Sequence, residues 1–260
     1  MRADSADGGS ILNADVSWDE FDPDEYMRRN YLHLQCVDLE IIQIMSRHFG
    51  DHFGAEFDPP RSGIDVGTGS NLYPALAMLP WCGEITFLER SASNVDYLQR
   101  QVPGYDAHWD QFWAALRQHK TYEACEELPR RRFRQAVRVR PGCLFDLTER
   151  QDRWSMGTMF FVAESITTSL QEFHRAVACF VGALSPGAPF VAGFMEDSLG
   201  YRVGDAKFPA CCIDSSRLLD SLSPFADELD VVRTGNHGSL VRDGYRGILV
   251  ARGFKSFGAG

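Results

Sequence analysis

No stretch of about 18 consecutive apolar residues occurs in the 260-residue chain, so no membrane-spanning helix is predicted. The opening residues, MRADSADGGS, have neither a basic start nor an apolar centre, which argues against a secretory leader and for a cytoplasmic protein without a membrane partner. No C-x-x-C pair occurs among the seven cysteines, and no clustered histidines accompany them. A disulfide framework and a metal site are therefore not expected, and the adjacent Cys211 and Cys212 read as small buried hydrophobes. Positive charge is short as well. A net charge of −10 removes the broad basic face that phosphate backbones require, so no nucleic-acid partner is expected. One stretch runs against the average: PRRRFRQAVRVR, within 117–153. Beside Glu123, Glu126 and Glu127 it reads as a solvated helix face. Repeats and low-complexity tracts are lacking.

What remains is the material of one large α/β domain, with 44% hydrophobic and 24% charged residues. Residues 1–17 are polar and non-periodic and are expected to be disordered. A helical region follows over 18–57: Pro23 suits a first turn, and Leu34, Val37, Ile41, Ile44 and Met45 form an apolar stripe. Strand-like runs then alternate with helix-like ones. The strands end at Val66, at Glu89, near Asp146, near Ala163 or Glu164, and at the start of FMED. Ser91 is placed to cap one helix, and Ser169 with Glu172 has the spacing of a capping box. Residues 106–136 read as amphipathic helix, with Trp109, Phe112, Trp113 and Leu116 on one side. LDVVRT and GILVARGF close the chain as two strands. Such alternation implies a mainly parallel, Rossmann-like sheet with helices on both faces and ligands at the carboxyl ends of the strands.

Gly67, Thr68 and Gly69 lie at the first such end, where RSGIDVGTGSNLYPALAM passes from strand to helix. Glycines there let a ligand approach the backbone, and the free N–H groups of the helix can meet electron-rich atoms. Glu89 follows about 20 residues later, where a carboxylate accepts both hydroxyls of an adenosine ribose. NAD and S-adenosylmethionine both carry that ribose. A dinucleotide fingerprint needs a third glycine, and that position is Leu72. Asp65, two residues before the first glycine, would repel a pyrophosphate but suits a cationic cofactor.

The motif GIDVGTGSNLYPAL resembles the first motif of class I S-adenosylmethionine-dependent methyltransferases. More narrowly, the chain is similar to the family of nicotinamide N-methyltransferase, phenylethanolamine N-methyltransferase and the indolethylamine and thioether methyltransferases. The similarity runs from about Phe21 to Phe254. It is carried by FDPDEYMRRNY, LERSASNVDYL, FDLTE, LSPGAPFVAGFMEDSLGYRVGDAKF and RDGYRGILVAR. The resemblance implies a seven-stranded sheet with an antiparallel C-terminal strand and a helical N-terminal lid at 18–57 on a single domain, 18–260. It places Tyr26 and Tyr31 in the lid, Gly67, Thr68, Gly69 and Tyr73 along the methionine end of the cofactor, and Glu89 on the ribose. Asn94 is a further polar contact, Asp146 and Leu147 flank the adenine, and Ala163 lines the methionine side.

Methyl transfer from a sulfonium needs alignment more than a base. The acceptor implied is a small molecule, methylated at nitrogen or, as an alternative, at oxygen. The resemblance puts the loop FMEDSLGYRVGDAKF at the acceptor, with Glu196, Ser198 and Tyr201 near it. Tyr26 is a shared contact, and Arg202, Glu164 and His237 are further candidates. Glu196, Glu164 and His237 are the candidate catalytic residues. Pro209 and Ala210 stand where the pyridine-carboxamide enzyme uses serine, which counts against nicotinamide itself. Two rivals stay open: an NAD(P)-dependent oxidoreductase, and a binding protein of the same fold using the basic 117–153 segment. Oligomeric state is not legible, and a monomer is compatible with everything above.

Overall fold

The computed structural model describes residues 9–57, 60–125, 129–149, 153–235 and 246–258. Among them, nine strands and nine α-helices form. The strands are β1 (Arg61–Val66), β2 (Cys82–Glu89), β3 (Val137–Pro141), β4 (Met156–Phe160), β5 (Pro189–Glu196), β6 (Tyr201–Val203), β7 (Ala206–Phe208), β8 (Ala226–Thr234) and β9 (Gly247–Lys255). The helices are α1 (Pro23–Asn30), α2 (Cys36–Phe53), α3 (Tyr73–Met78), α4 (Ala92–Gln101), α5 (Asp110–Leu116), α6 (Lys120–Glu123), α7 (Pro129–Ala136), α8 (Leu170–Gly182) and α9 (Ser215–Leu222).

Seven strands make one sheet in the order β3-β2-β1-β4-β5-β9-β8. Strands β1 to β5 pair in parallel, and β9 runs antiparallel to both β5 and β8. This is the expected Rossmann-like sheet with helices on both faces. The two faces follow from strand periodicity. Along β5, Val191 and Met195 join the core beneath α2 and α3, while Phe190, Ala192 and Phe194 join the core beneath α8 and α9.

Several expectations need correction. The helical region 18–57 is two helices. Asp22 caps α1 by accepting from the Glu25 N–H at 2.9 Å; Tyr31 then leaves helical geometry at φ −128°, and Gln35 with Asp38 starts α2. The stretch 106–136 is likewise broken into α5, α6 and α7, with His119 turning the chain by accepting at Nδ1 from the Thr121 N–H. The third strand stops at Pro141, which lacks a ladder donor, so Asp146 lies in a 3-10 turn over Leu144–Glu149. The fourth strand ends at Phe160, because Phe161 takes up φ +60°, and Glu164 stands beyond it. Within the loop after β5 a short hairpin, β6–β7, went unread. Residues 9–17, expected to be disordered, instead lie against α8 through hydrogen bonds from Ile11 and Asn13.

The basic stretch is partly absorbed into packing. Arg130 pairs with Asp110 at 2.8 Å, and Arg132 donates to the Leu79 and Pro80 carbonyls. Arg131 and Arg134 stay exposed. Among the described residues no helix is long and apolar enough to cross a membrane.

Candidate functional site

A cavity of about 800 Å³, counting its open mouth, lies at the carboxyl ends of β1, β2 and β4. Its floor is the β1–α3 turn. Gly67 sits at φ +63°, and a Cβ there would strike Val162 at 2.6 Å, so packing and backbone both demand glycine. Gly69, at φ +54°, faces open space, since a Cβ would meet nothing nearer than 3.8 Å. The turn's donors are largely spent inside the protein. Gly67 N–H goes to the Leu88 carbonyl, Asn71 N–H to the Thr68 carbonyl and Tyr73 N–H to Asn71 Oδ1, while Pro74 has none. Fewer backbone donors of this turn are thereby left for an anionic pyrophosphate.

Glu89 ends β2 and is nearly buried. Oε2 accepts from the Gly69 N–H at 2.8 Å, and Oε1 accepts from the Arg90 and Ser91 N–H groups at 2.8 and 2.9 Å. Burial pushes this carboxyl up, and those N–H groups with Asn94 oppose the shift. The carboxylate therefore locks the glycine turn from the wall of the cavity. Asp65, expected beside the cofactor, points elsewhere: Oδ1 accepts from Thr158 Oγ1 at 2.7 Å inside the sheet. Burial pushes it up to about 7, and its place inside the sheet, outside the described lining of the cavity, differs from the position beside the cofactor that the spacing implied.

Of the residues singled out in the sequence, Tyr26, Tyr31, Gly67, Thr68, Gly69, Glu89, Asn94 and Tyr201 line the cavity together. Tyr73 lies one layer behind, stacked on Phe112 at 5.7 Å and edge-on to Tyr31 and Phe160. Asp146, exposed, accepts from the Cys143 N–H, and Leu147 is buried; Gly142, Cys143 and Leu144 occupy the wall in their stead. Ala163 is buried between the lining residues Val162 and Ser165. Glu164 is fully buried, its Oε1 accepting from the Met195 N–H at 3.1 Å and the Ser165 hydroxyl at 2.9 Å. Glu196 is held by a two-pronged contact from Arg233, with Nε at 2.6 Å, outside the lining. Ser198 is buried away from it, and Arg202 is exposed, donating to the Asp205 carbonyl. His237 falls outside the described residues.

Sequence reasoning missed much of the wall. Ser70 and Asn71 follow the glycine pair directly, and their polarity inside an apolar helix start was a usable signal. Arg90 adjoins Glu89. Asn13 and Trp18 gave none, being in or beside the segment thought unstructured. Phe160 and Phe161 read only as strand.

Three buried polar atoms on the wall, Asn94 Oδ1, Asn71 Nδ2 and Ser70 Oγ, have no hydrogen-bond partner in the protein. Groups of that kind are costly unless a ligand or water satisfies them. They suit the hydroxyls, carboxylate and ammonium of S-adenosylmethionine. Much of the remaining wall is aromatic: Phe21, Tyr26, Tyr31, Phe160, Phe161 and Tyr201. Burial pushes the Tyr31 hydroxyl well above its ordinary value, so it stays protonated. Among the described residues, no group of three His, Cys, Asp or Glu side chains converges as metal ligands.

No curated relative matches the chain in sequence. Solved structures of similar fold include the N-methyltransferase NodS of Bradyrhizobium japonicum WM9 in complex with S-adenosyl-L-homocysteine. It is 12% identical, covers 83% of this chain and 86% of its own, and has a TM-score of 0.51. A SAM-dependent methyltransferase of Methanosarcina mazei aligns at 11% identity over 76% of this chain and 93% of its own, with a TM-score of 0.50. At such identities the likeness speaks for the fold alone. The sequence itself goes further. Residues 9–241 match the model of the NNMT/PNMT/TEMT family, and the chain belongs to that family, an S-adenosylmethionine-dependent methyltransferase of small molecules rather than an oxidoreductase.

Proposed function

We propose that the chain methylates an uncharged nitrogen of a small planar acceptor, with the cofactor lying along Gly67–Asn71, Glu89 and Asn94. The observation that carries this reading is where charge sits around the cavity. Of the described lining residues only Glu89 and Arg90 are charged, and both stand at the end of β2. Much of the uncharged lining is the aromatic set around Tyr26, Tyr31 and Phe161. A phenol or an acid would have to arrive as an anion or lose its proton there, with no base or cation beside it. A neutral nitrogen lone pair needs neither.

Once bound, the cofactor supplies an activated methyl carbon on a sulfonium. Glu89 then holds the ribose hydroxyls, and Asn94, Asn71 and Ser70 satisfy polar groups nearer the methionine. The aromatic faces favour positive charge, keep water from the methyl group and orient a flat acceptor in line with it. Glu164 acts one layer behind, fixing Ser165 and the start of the β5 loop rather than touching the acceptor. Glu196 belongs to the frame through Arg233.

The test is a panel of pyridines, neutral amines, thioethers, phenols and carboxylic acids of similar size, assayed with labelled S-adenosylmethionine and identified by mass spectrometry. Turnover concentrated in the nitrogen compounds is expected. Turnover of phenols or acids with the nitrogen compounds inert would overturn it, and preference for thioethers would move the reaction to sulfur.

A further inference from the structure

Within residues 11–18, Asn13 and Trp18 form part of the cavity wall, although nothing in the segment's polarity or periodicity foretold order. Ile11 is fixed at three points: its N–H donates to Thr168 Oγ1, and its carbonyl accepts from the Thr168 N–H and the Thr167 hydroxyl, each at 2.9 Å. Asn13 N–H donates to Glu172 Oε2 at 2.9 Å. Asn13, only 4% exposed, accepts at its amide oxygen from Trp18 Nε1 at 2.9 Å and donates from its amide nitrogen to Cys143 Sγ at 3.5 Å, in the loop after β3. Asn13, Trp18 and Cys143 all line the cavity.

Glu172 carries the most informative signal. Ser169 caps α8 by accepting from the Glu172 N–H, yet the reciprocal half of the capping box is not made, and the carboxylate turns to the Asn13 N–H. The fastening is also polar. Ile11 and Leu12 remain 47% and 39% exposed, so burial adds little at this end. At the other end Trp18 stacks on Phe208 at 5.5 Å and 15°. A segment pinned by stacking at one end and by a few hydrogen bonds at the other opens locally at low cost.

We propose that residues 11–18 are a clasp over the cofactor, hinged at the Trp18–Phe208 stack and caught by Glu172 and Thr168, whose release sets the rate of cofactor exchange. The inference rests on the cofactor placement proposed above. Glu172 is a positioning residue. It acts through Asn13 and touches no reacting group.

The full chain tests this with S-adenosylhomocysteine as the probe, by stopped-flow release and by amide hydrogen exchange at Ile11 and Asn13. Glu172→Ala removes the acceptor and should speed release roughly tenfold or more, as expected for losing a hydrogen bond to a charged group, and deprotect the Asn13 amide. Glu172→Gln keeps an acceptor oxygen while losing the charge, and should restore slow release. Release unchanged in Glu172→Ala, or equally fast in both variants, overturns the clasp. Failure of the wild-type protein to bind the probe overturns the cofactor placement itself, and with it the clasp's cargo.

Discussion

At the scale of single residues, Glu89, on the cofactor placement proposed above, performs two tasks with one side chain. Three backbone N–H groups, from Gly69, Arg90 and Ser91, converge on its oxygens. Replacing it by alanine removes the ribose acceptor and unlocks the glycine turn together. Glu89→Ala is therefore expected to weaken S-adenosylhomocysteine binding about 100-fold, on the order of 2–3 kcal/mol, as measured by calorimetry. Glu89→Gln should lose less, since an amide oxygen can still accept from Gly69. Near-native affinity in the alanine variant would remove Glu89 from the site.

Among elements, β8 is tied to β5 by an ion pair whose carboxylate, Glu196, the sequence resemblance put near the acceptor. Glu196 closes β5 nearly buried, and Arg233 of β8 reaches across β9 to it with its guanidinium half exposed. Arg233→Ala strands a buried carboxylate, so stability should fall by about 2 kcal/mol in denaturant titration while the acceptor KM is unchanged. A raised KM with normal stability would return Glu196 to the acceptor pocket. The difference between expectation and structure is instructive here. Strand and helix periodicity marked β1, β2, β5, β8, β9 and α8 well, because alternating burial leaves a direct trace in the chain. That the glycine turn, Glu89 and Asn94 meet at one cavity was legible because local chain geometry brings the strand ends together. Glu196 and Asp146 lie outside the described lining of the cavity: the first is turned by Arg233, 37 positions away in the sequence, and the second is held in the turn after Pro141 by the Cys143 N–H. The segment 11–18 was illegible for a related reason: its order comes from Thr168 and Glu172, some 157 and 159 positions away.

Over the whole molecule, buried titratable groups set opposing pH dependences. Burial pushes Asp38 and Asp65 up to about 7 from an ordinary value near 3.8. Their contribution to stability is complete below about pH 4 and is lost as pH rises through 7, because the unfolded chain releases those protons first. His48 behaves oppositely. Its ring, buried against the Gly253 carbonyl, is lowered to about 4, so its contribution is present above about pH 6.5 and lost as pH falls towards 4. The two trends offset one another in the native protein. Asp65→Asn removes one carboxyl and should make thermal stability fall more steeply between pH 7 and pH 5 than it does in the wild type. A variant with an unchanged pH profile would show that Asp65 is ionised in the fold like any surface carboxylate.

Phe161 holds a left-handed backbone at the end of β4, its N–H donating to the Gly193 carbonyl at 2.7 Å and its ring facing the aromatic wall. A non-glycine residue in that conformation costs on the order of 1–3 kcal/mol. Glycine would relieve the strain and erase the ring in the same step. Because the ring also packs against the core beside Phe160, the strain recovered is offset by the burial lost, so a selection for thermal robustness alone would be nearly blind to this codon while one for the proposed activity would not.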